Sequence, residues 1–369
     1  MAKRWRWRGS VALLAVALSF FLYPLLPGDD VINSDWPAFA TGARLILSDP
    51  GHLYDLQAQQ RVQTEITGGQ VLITPGIQGI LPFLAPAWVA ILAVPFARLG
   101  PDAGGRLWVL FGLACLIAGL YFATRPGPTA RVLPAFASVP TALLMLNAQL
   151  DGLVVLGIGG ALALWSRPLL AGLALGLTLM KPQLMLPVGF ALILAREWKA
   201  LAGWTISGLA LLLPTLALNP NWIGQWLAQT RATVAPVSRE VDVAHFGTLV
   251  QGSAQPYVVA TLVVLALVAV LWLAYTRRDN LRSAAAILVA GGVAVSPHAL
   301  PADLVVVALA LAVWGEATWF EWLFLSTGAL IAAVAPAPIP AVVGLGLLSA
   351  VLGRISLARR PAPALASPR

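Results

Sequence analysis

The sequence predicts an all-α polytopic membrane protein, and two features of its composition lead to this fold class. Of its 369 residues, 59% are hydrophobic and only 10% are charged, with a mean hydropathy of +0.84. Soluble domains carry about a quarter charged residues. The basic residues stand in short clusters at the ends of apolar runs, which is the pattern of the positive-inside rule. The net charge of +8 therefore indicates membrane topology and not a nucleic-acid-binding face.

The N-terminal part predicts one helix and one long external loop. The first helix covers about residues 10–26 and follows a basic start, so we expect it to be uncleaved, with its N-terminus in the cytoplasm. Residues 27–79 hold several acidic residues but only Arg44 and Arg61 as basic ones, which places this first loop outside. We expect two amphipathic helices on the membrane surface in this loop, near 35–48 and 54–67.

The middle of the chain predicts two more crossings and one broken element. The crossings cover about 80–98 and 106–123, and Arg98 and Arg106 mark a cytoplasmic turn. Residues 132–147 form a short apolar run with two prolines, which we interpret as re-entrant or broken. This interpretation places the basic clusters that follow residue 147 on the cytoplasmic side, but it leaves Arg125 and Arg131 on the outer side.

A crossing needs about 20 apolar residues, and the apolar runs predict about twelve crossings with both termini cytoplasmic. Residues 1–355 would form a single transmembrane domain, with a second extracytoplasmic loop at 218–255 and a disordered tail at 356–369. The remaining predicted spans are about 150–166, 168–181, 182–195, 198–217, 256–275, 283–297, 301–315, 319–335 and 339–353.

Several polar groups converge on the outer face in this topology, and ionisable residues at membrane depth are functional by default. Asp35 has two interpretations: it caps the helix that follows, or it is a general base that takes a proton from an acceptor hydroxyl. The candidate ligands of a donor phosphate or sugar are Lys181, Gln183, His298, Asn147, Gln149, Asp151, Arg131 and Asp303.

Each candidate also has a structural interpretation. Lys181 could extend to the interface, or it could meet an anionic phosphate because Pro182 fixes its turn. The polar group of Asn147, Gln149 and Asp151 could form a turn in which the polar atoms all have hydrogen-bond partners, or it could bind sugar hydroxyls. His298 could be structural or could contact a phosphate, with Asp303 orienting it or capping the next helix. Scattered histidines make no metal signature, so no metal or cofactor is expected, and one cysteine excludes an internal disulfide framework.

Four stretches together resemble glycosyltransferase family 87, which comprises polyprenol-phosphate-mannose-dependent mannosyltransferases of the GT-C superfamily. They are SDWPAFATGARLILSDPGHLYD (34–55), NAQLDGLVVLG (147–157), LLAGLALGLTLMKPQLMLP (169–187) and VSPHALPADLVVVAL (295–309).

The resemblance implies a multi-helix fold of the GT-C type and a lipid-phosphate-sugar donor. We expect a hexosyltransferase of the plasma membrane, with mannose as the first candidate sugar, and a single displacement would invert the anomeric carbon. Its partners would be a polyprenyl-phosphate sugar donor, a glycolipid or glycan acceptor of the cell envelope, and membrane lipid. The acidic residue of the first loop would be the base, which corresponds to Asp35, and Lys181 and His298 correspond to positions near the donor phosphate. The alternative is a lipid or sugar transporter without transferase activity, which would be favoured by inverted repeats; none is evident in the sequence.

Overall fold

The structure is a computed structural model, and it describes residues 34–69, 72–74, 77–125, 131–244, 246–250 and 253–358. The expected first helix at 10–26 and nearly all of the expected tail at 356–369 lie outside the described residues.

Helices make up most of the described chain, in agreement with the predicted all-α class. These stretches also contain a short antiparallel pair, β1 (Leu72–Thr74) and β2 (Ile77–Gly79). The helices up to the middle of the chain are α1 (Trp36–Ser48), α2 (Leu56–Thr67), α3 (Ala87–Ala97), α4 (Pro101–Ala123), α5 (Val132–Phe136), α6 (Val139–Leu146), α7 (Asp151–Ala163), α8 (Pro168–Leu175) and α9 (Leu186–Leu194). The later helices are α10 (Trp198–Leu218), α11 (Trp222–Val241), α12 (Gln255–Thr276), α13 (Leu281–Val295), α14 (Leu304–Trp314), α15 (Trp319–Val334) and α16 (Ile339–Leu357).

Four helices of the described chain, α4, α10, α12 and α16, are long and apolar enough to cross a membrane. The longest, α4, has 23 residues, which corresponds to about 34 Å at about 1.5 Å per residue. The other apolar helices have 10 to 17 residues, and many of them form hairpins that turn inside the bundle.

The first hairpin consists of α5 and α6, which lead inward, and α7, which leads back. The backbone of Gly152 in α7 packs directly on Gly112 in α4, and Gly159 packs on Gly119 in the same order. The two helices are therefore parallel, and α7 begins beside the midpoint of α4. The tip of this hairpin, residues 147–151, lies at that level.

The second hairpin leads inward through α8 and a 3₁₀ turn and back through α9. Gly172 of α8 packs on Ala200 of α10, and Gly176 packs on Ser207, so α8 and α10 run in the same direction. Since α9 connects them, it must run the opposite way. The tip at 180–183 therefore lies deep in the bundle, and both limbs end on one side.

The third hairpin consists of α13 and α14, with its tip at 296–303. Arg282 in the first turn of α13 donates a hydrogen bond to the carbonyl of Arg125, just after α4. Gly315, which follows α14, packs against Arg131 at the start of α5. Both limbs of this hairpin thus reach the side where α4 ends.

All three hairpins share this side of the molecule with the C-terminal ends of α4, α12 and α16. Arg277, after α12, donates a hydrogen bond of 2.6 Å to the carbonyl of Ala358, which follows α16. We call this side the basic end. Its basic residues are Arg125, Arg131, Arg167, Arg196, Lys199, Arg277, Arg278, Arg282 and Arg354.

The hairpins bear on the predicted topology. The expected crossings at 150–166, 168–181, 182–195, 283–297 and 301–315 are limbs of hairpins, formed by apolar helices of 10 to 17 residues, and the count of about twelve crossings is not confirmed. Residues 132–147 are broken, as expected, into α5 and α6. The predicted crossing at 80–98 contains only α3, which has 11 residues.

The side assignments around α4 also change. Arg125 and Arg131, predicted to lie apart from the other basic clusters, lie with them at the basic end. Arg98 lies at the other end of α4, beside Pro101, so Arg98 and Arg106 do not mark a turn on the side of those clusters. The reason is that the first hairpin begins and ends on the side where α4 ends, so Arg131 stays on the same side as Arg125.

The two external loops contain more packed structure than predicted. Helices occur at both expected places in the first loop, but α1 does not lie on a surface, because ten of its residues are buried. Trp36 donates a hydrogen bond of 2.7 Å to the carbonyl of Pro101, which fixes α1 to the start of α4. Residues 218–255 are not an open loop, because they contain α11, a helix of 20 residues.

Candidate active site

Asp35 lies at the N-terminal end of α1, but its carboxylate does not cap that helix. The hydroxyl of Ser34 instead accepts a hydrogen bond of 3.2 Å from the backbone N–H of Trp36. The carboxylate of Asp35 accepts a hydrogen bond from the side-chain amide of Gln149. Asp35 is half-buried, and its side chain faces the interior instead of serving its own helix.

The tip of the first hairpin holds Asp35 in place from a second direction. The backbone N–H of Asp35 donates to the carbonyl of Asn147 at 3.3 Å. Ala148 has a positive φ of 51°, and its carbonyl accepts a hydrogen bond of 2.9 Å from the indole of Trp108 in α4. This turn aims the amide of Gln149 at Asp35, whereas Asn147 contributes its backbone.

Lys181 lies between two carboxylates that come from the other two hairpins. Its ammonium group is 2.8 Å from Oδ2 of Asp151 and also pairs with Asp303. The side chains of Asp151 and Asp303 are 0% and 2% exposed and that of Lys181 is 11% exposed, so these charges are desolvated and depend on each other. We call these three residues the tip clasp, because they join the tips of all three hairpins.

Asp303 has a second bond within its own tip. Its other carboxylate oxygen accepts a hydrogen bond of 2.8 Å from the backbone N–H of Leu300. Asp303 therefore closes the turn of the third hairpin and pairs with Lys181 at the same time. Within the described part of the chain its carboxylate makes these contacts and none with His298, so the suggestion that Asp303 orients His298 directly stays a prediction.

His298 pairs with an acidic residue that sequence analysis did not propose for the site. Its Nδ1 atom is 2.6 Å from Oδ1 of Asp242, whose side chain is 0% exposed. Asp242 directly follows α11, a helix that the sequence analysis treated as loop. No local spacing links Asp242 to His298, so only the fold reveals the pair.

Solvent reaches some of the polar side chains on and beside the tips. It reaches 34% of the His298 side chain, although this residue stands at the tip of a hairpin that ends within the bundle. Asp35, beside the first tip, and Asn147 and Gln183, on the first and second tips, are half-buried. We call the space that these side chains border the recess, and because the limbs of the hairpins fill the half of the bundle towards the basic end, we infer that it opens towards the other half.

Burial dominates the acid–base behaviour of Asp35. Loss of hydration raises its pKa from 3.8 to about 6, the charges of Lys181 and His298 act to lower it, and that of Asp303 adds to the rise. Lys181, Asp303 and His298 therefore lie close enough to Asp35 for their charges to affect its pKa.

One predicted candidate, Arg131, lies far from the others. Arg131 lies at the basic end against Gly315, whereas Asp303 lies at the opposite end of α14, which has 11 residues. That length corresponds to about 16 Å at about 1.5 Å per residue, so Arg131 is remote from the recess. Gln183 is on the tip of the second hairpin, two residues after Lys181.

Among the described residues, no group of three or more His, Cys, Asp or Glu side chains could hold a metal ion.

One comparison with known proteins gives a family. The model of glycosyltransferase family 87 matches residues 83–297, which is more than half of the chain and includes the first two hairpin tips and Asp242. No curated protein and no solved structure matches the chain. The match agrees with the all-helical, membrane-type fold, and the chain belongs to glycosyltransferase family 87.

Proposed function

We propose that this glycosyltransferase moves a hexosyl residue, mannose in the first instance, from a polyprenyl-phosphate donor to an acceptor hydroxyl with inversion at the anomeric carbon. The observation that carries the proposal is the placement of Asp35. Its carboxylate is turned away from its own helix, is held by Gln149, and lies within the electrostatic reach of Lys181 and His298. A base and cationic groups at one recess are what a single displacement at a glycosyl phosphate requires.

Asp35 is proposed as the general base. A base works best when its pKa is close to the operating pH, and burial raises the pKa of Asp35 to about 6. Asp35 would take the proton of the acceptor hydroxyl as that oxygen attacks the anomeric carbon. Gln149 would then hold the carboxylate in one orientation.

The depth of the site favours a donor carried by a lipid. The recess lies near the level of the midpoint of α4, one of the helices long enough to cross a membrane. A polyprenyl chain can remain among the apolar outer faces of the helices while its phosphate reaches the hairpin tips. The described residues 34–358 would then act as one transmembrane domain.

The tip clasp changes the role proposed for Lys181. Two carboxylates already occupy its ammonium group, so a phosphate would have to compete with buried ion pairs. We assign Lys181 to offsetting part of the negative charge of Asp151 and Asp303, which would otherwise repel an anionic donor more strongly. Direct contact with the phosphate is assigned to His298, and sugar hydroxyls to Asn147 and Gln183. Arg131 is left out of the site.

The basic end indicates the orientation in the membrane. Lys and Arg collect on the cytoplasmic side of membrane proteins, so the recess, which opens away from the basic end, would face the extracytoplasmic side of the plasma membrane. The C-terminus would be cytoplasmic. The acceptor would be a glycolipid or glycan of the cell envelope.

The test is a transfer assay with purified protein, polyprenyl-phosphate [¹⁴C]mannose and a mixture of envelope glycolipids. We expect release of polyprenyl phosphate and an α-linked product from a β-linked donor. Asp35→Asn should fold and bind the donor but lose transfer by at least about 10²-fold, the scale of general base catalysis. The matched control is Asp49→Asn, an exposed acid of the same segment, which should keep full activity.

Two results would contradict the proposal. Turnover by Asp35→Asn at the wild-type rate would exclude Asp35 as the base. Movement of the labelled lipid across the membrane of proteoliposomes, without any release of polyprenyl phosphate, would instead favour the transporter alternative.

A further inference from the structure

Asp242 and His298 are joined by backbone as well as by side chains. Asp242 directly follows α11, and the next residue, Val243, donates its N–H to the carbonyl of Ala299 at 2.8 Å. Val243 in turn packs directly on Gly344 of α16. The segment that carries Asp242 is therefore fixed against the tip of the third hairpin, and the carboxylate meets the imidazole in a defined register.

The pairing determines which nitrogen of His298 remains for chemistry. Nδ1 lies 2.6 Å from Oδ1 of the buried Asp242 carboxylate, and the negative charge there favours a proton on this nitrogen. Nε2 is on the other side of the five-membered ring from Nδ1. Because solvent reaches a third of the side chain but does not reach Asp242, we take the exposed edge of the ring to be the one that carries Nε2.

We propose that Asp242 is a positioning residue that holds His298 as a proton donor, through Nε2, to the phosphate of polyprenyl phosphate. This inference rests on the proposed function, and it adds His298 as a general acid to Asp35 as the general base. A neutral imidazole with its proton on Nδ1 would present a lone pair from Nε2 to the anionic phosphate, whereas an imidazolium presents an N–H. The carboxylate of Asp242 thus favours the form that attracts the leaving group.

The proton and electron balance of the step is simple. The acceptor oxygen loses its proton to Asp35 and forms a bond to the anomeric carbon. The bond between that carbon and the phosphate oxygen breaks, and its electron pair stays on the oxygen. His298 donates the Nε2 proton to this oxygen and recovers a proton from water after the product leaves.

The charges around His298 set the pH range of this form. Burial alone would lower the pKa of His298, but the hydrogen bond to Asp242 and the charges of Asp242 and Asp303 outweigh it and raise the pKa, while Lys181 opposes the rise. The charge of Asp35 also interacts with His298. Since the folded pKa is raised, the imidazolium persists to higher pH than an isolated histidine allows, and phosphate binding should be lost as pH rises through that pKa.

The experiment measures binding of polyprenyl monophosphate to detergent-solubilised protein across the pH range, without any sugar transfer. The variants are Asp242→Asn, Asp242→Glu and His298→Gln, and the control is Asp279→Asn, an exposed acid at the basic end. We expect the midpoint for loss of binding in Asp242→Asn to fall by about one pH unit or more, which corresponds to a tenfold change in proton affinity. Asp242→Glu should restore most of the shift, and His298→Gln should remove this transition.

A second readout follows His298 directly. In protein with ¹³C-labelled histidine, the imidazole resonance assigned with His298→Gln should titrate at lower pH in Asp242→Asn. Equal midpoints in wild type and Asp242→Asn, or no binding of polyprenyl monophosphate by the wild type, would overturn the inference. Binding with the expected pH dependence but no turnover of the sugar-loaded donor would refute the proposed function and the proton transfer, and would leave the positioning of His298 by Asp242 for phosphate binding standing.

Discussion

At the scale of single residues, the environment of Asp35 is the main determinant of the proposed chemistry. An exposed aspartate is ionised throughout the physiological range but is a weak base. In this protein burial raises the pKa of Asp35 to about 6, which makes the carboxylate more basic and still ionised at neutral pH. The hydrogen bond from Gln149 supports the ionised form.

This shift predicts the acidic limb of the pH–rate profile. Only the carboxylate form can accept a proton, so transfer should rise with pH through about 6 and stay high until the imidazolium of His298 is lost at higher pH. The measurement is kcat/KM for wild type between pH 4.5 and 8 with a fixed donor. A plateau that extends below pH 5 would show that no group with the pKa of Asp35 limits the reaction.

The tip clasp gives a second prediction. Lys181→Met leaves Asp151 and Asp303 buried without a counter-charge, which costs about 3–5 kcal/mol for a broken buried pair. The thermal unfolding midpoint in detergent should fall clearly, and adding Asp303→Asn should recover part of the loss. Lys199→Met, an exposed lysine at the basic end, is the matched control and should change little. An unfolding midpoint of Lys181→Met equal to that of the wild type would contradict the structural role assigned to Lys181.

Residue type and position in the sequence were enough to select most of the groups that line the recess, but not their partners. Polar residues between apolar runs are rare, and for that reason Asp35, Lys181 and His298 could be named. Which charge meets which depends on long-range packing. The sequence therefore gave no sign that Lys181 is shared by two carboxylates, or that Asp242 faces His298.

At the scale of elements, the parallel contact between α4 and α7 sets the depth of the first hairpin tip. Glycines at Gly112 and Gly119 face Gly152 and Gly159, and the backbones touch. A spacing of seven residues on both helices keeps the contact on one face of each. This register places Asp151 beside the middle of α4.

A side chain at this contact should disturb the site as well as the fold. Gly152→Val places atoms against the carbonyl of Gly112, and overpacking of this kind typically costs about 1–3 kcal/mol. We expect a lower unfolding midpoint and weaker donor binding, because Asp151 and Gln149 move with α7. Gly346→Val, where nothing lies within 4 Å of the added atom, is the control. Equal effects of the two substitutions would show that the α4–α7 contact is not specific.

Helix existence could be predicted, but helix length relative to the membrane could not. Apolar runs such as 283–297 and 301–315 are compatible with short crossings and with limbs of a hairpin. Runs of about 10–14 apolar residues suit re-entrant segments better than spans, and α14 has 11 residues. The polar tips were visible as breaks between runs, but a break in the middle of the bundle and a loop outside it look the same in sequence.

At the scale of the whole molecule, the basic end predicts accessibility from one side only. In a Cys115→Ser background, single cysteines at Lys199 and Asp279 should react with a membrane-impermeant thiol reagent only in inverted vesicles. A cysteine at Asp102, at the other end of α4, should react only from outside in intact cells. Labelling of the Asp102 position from the cytoplasmic side would contradict this topology and favour a cytoplasmic turn at Arg98 and Arg106.

The tip clasp also has a consequence for biosynthesis. Lys181 and Asp151 are 30 residues apart in the chain, whereas Asp303 follows Lys181 by 122 residues. At about 5–20 residues per second, the ribosome delivers Asp303 about 6–24 s after Lys181. During this interval the nascent chain carries the first two hairpins with a single ion pair between Lys181 and Asp151. The recess is complete only when the third hairpin, residues 281–314, has been inserted.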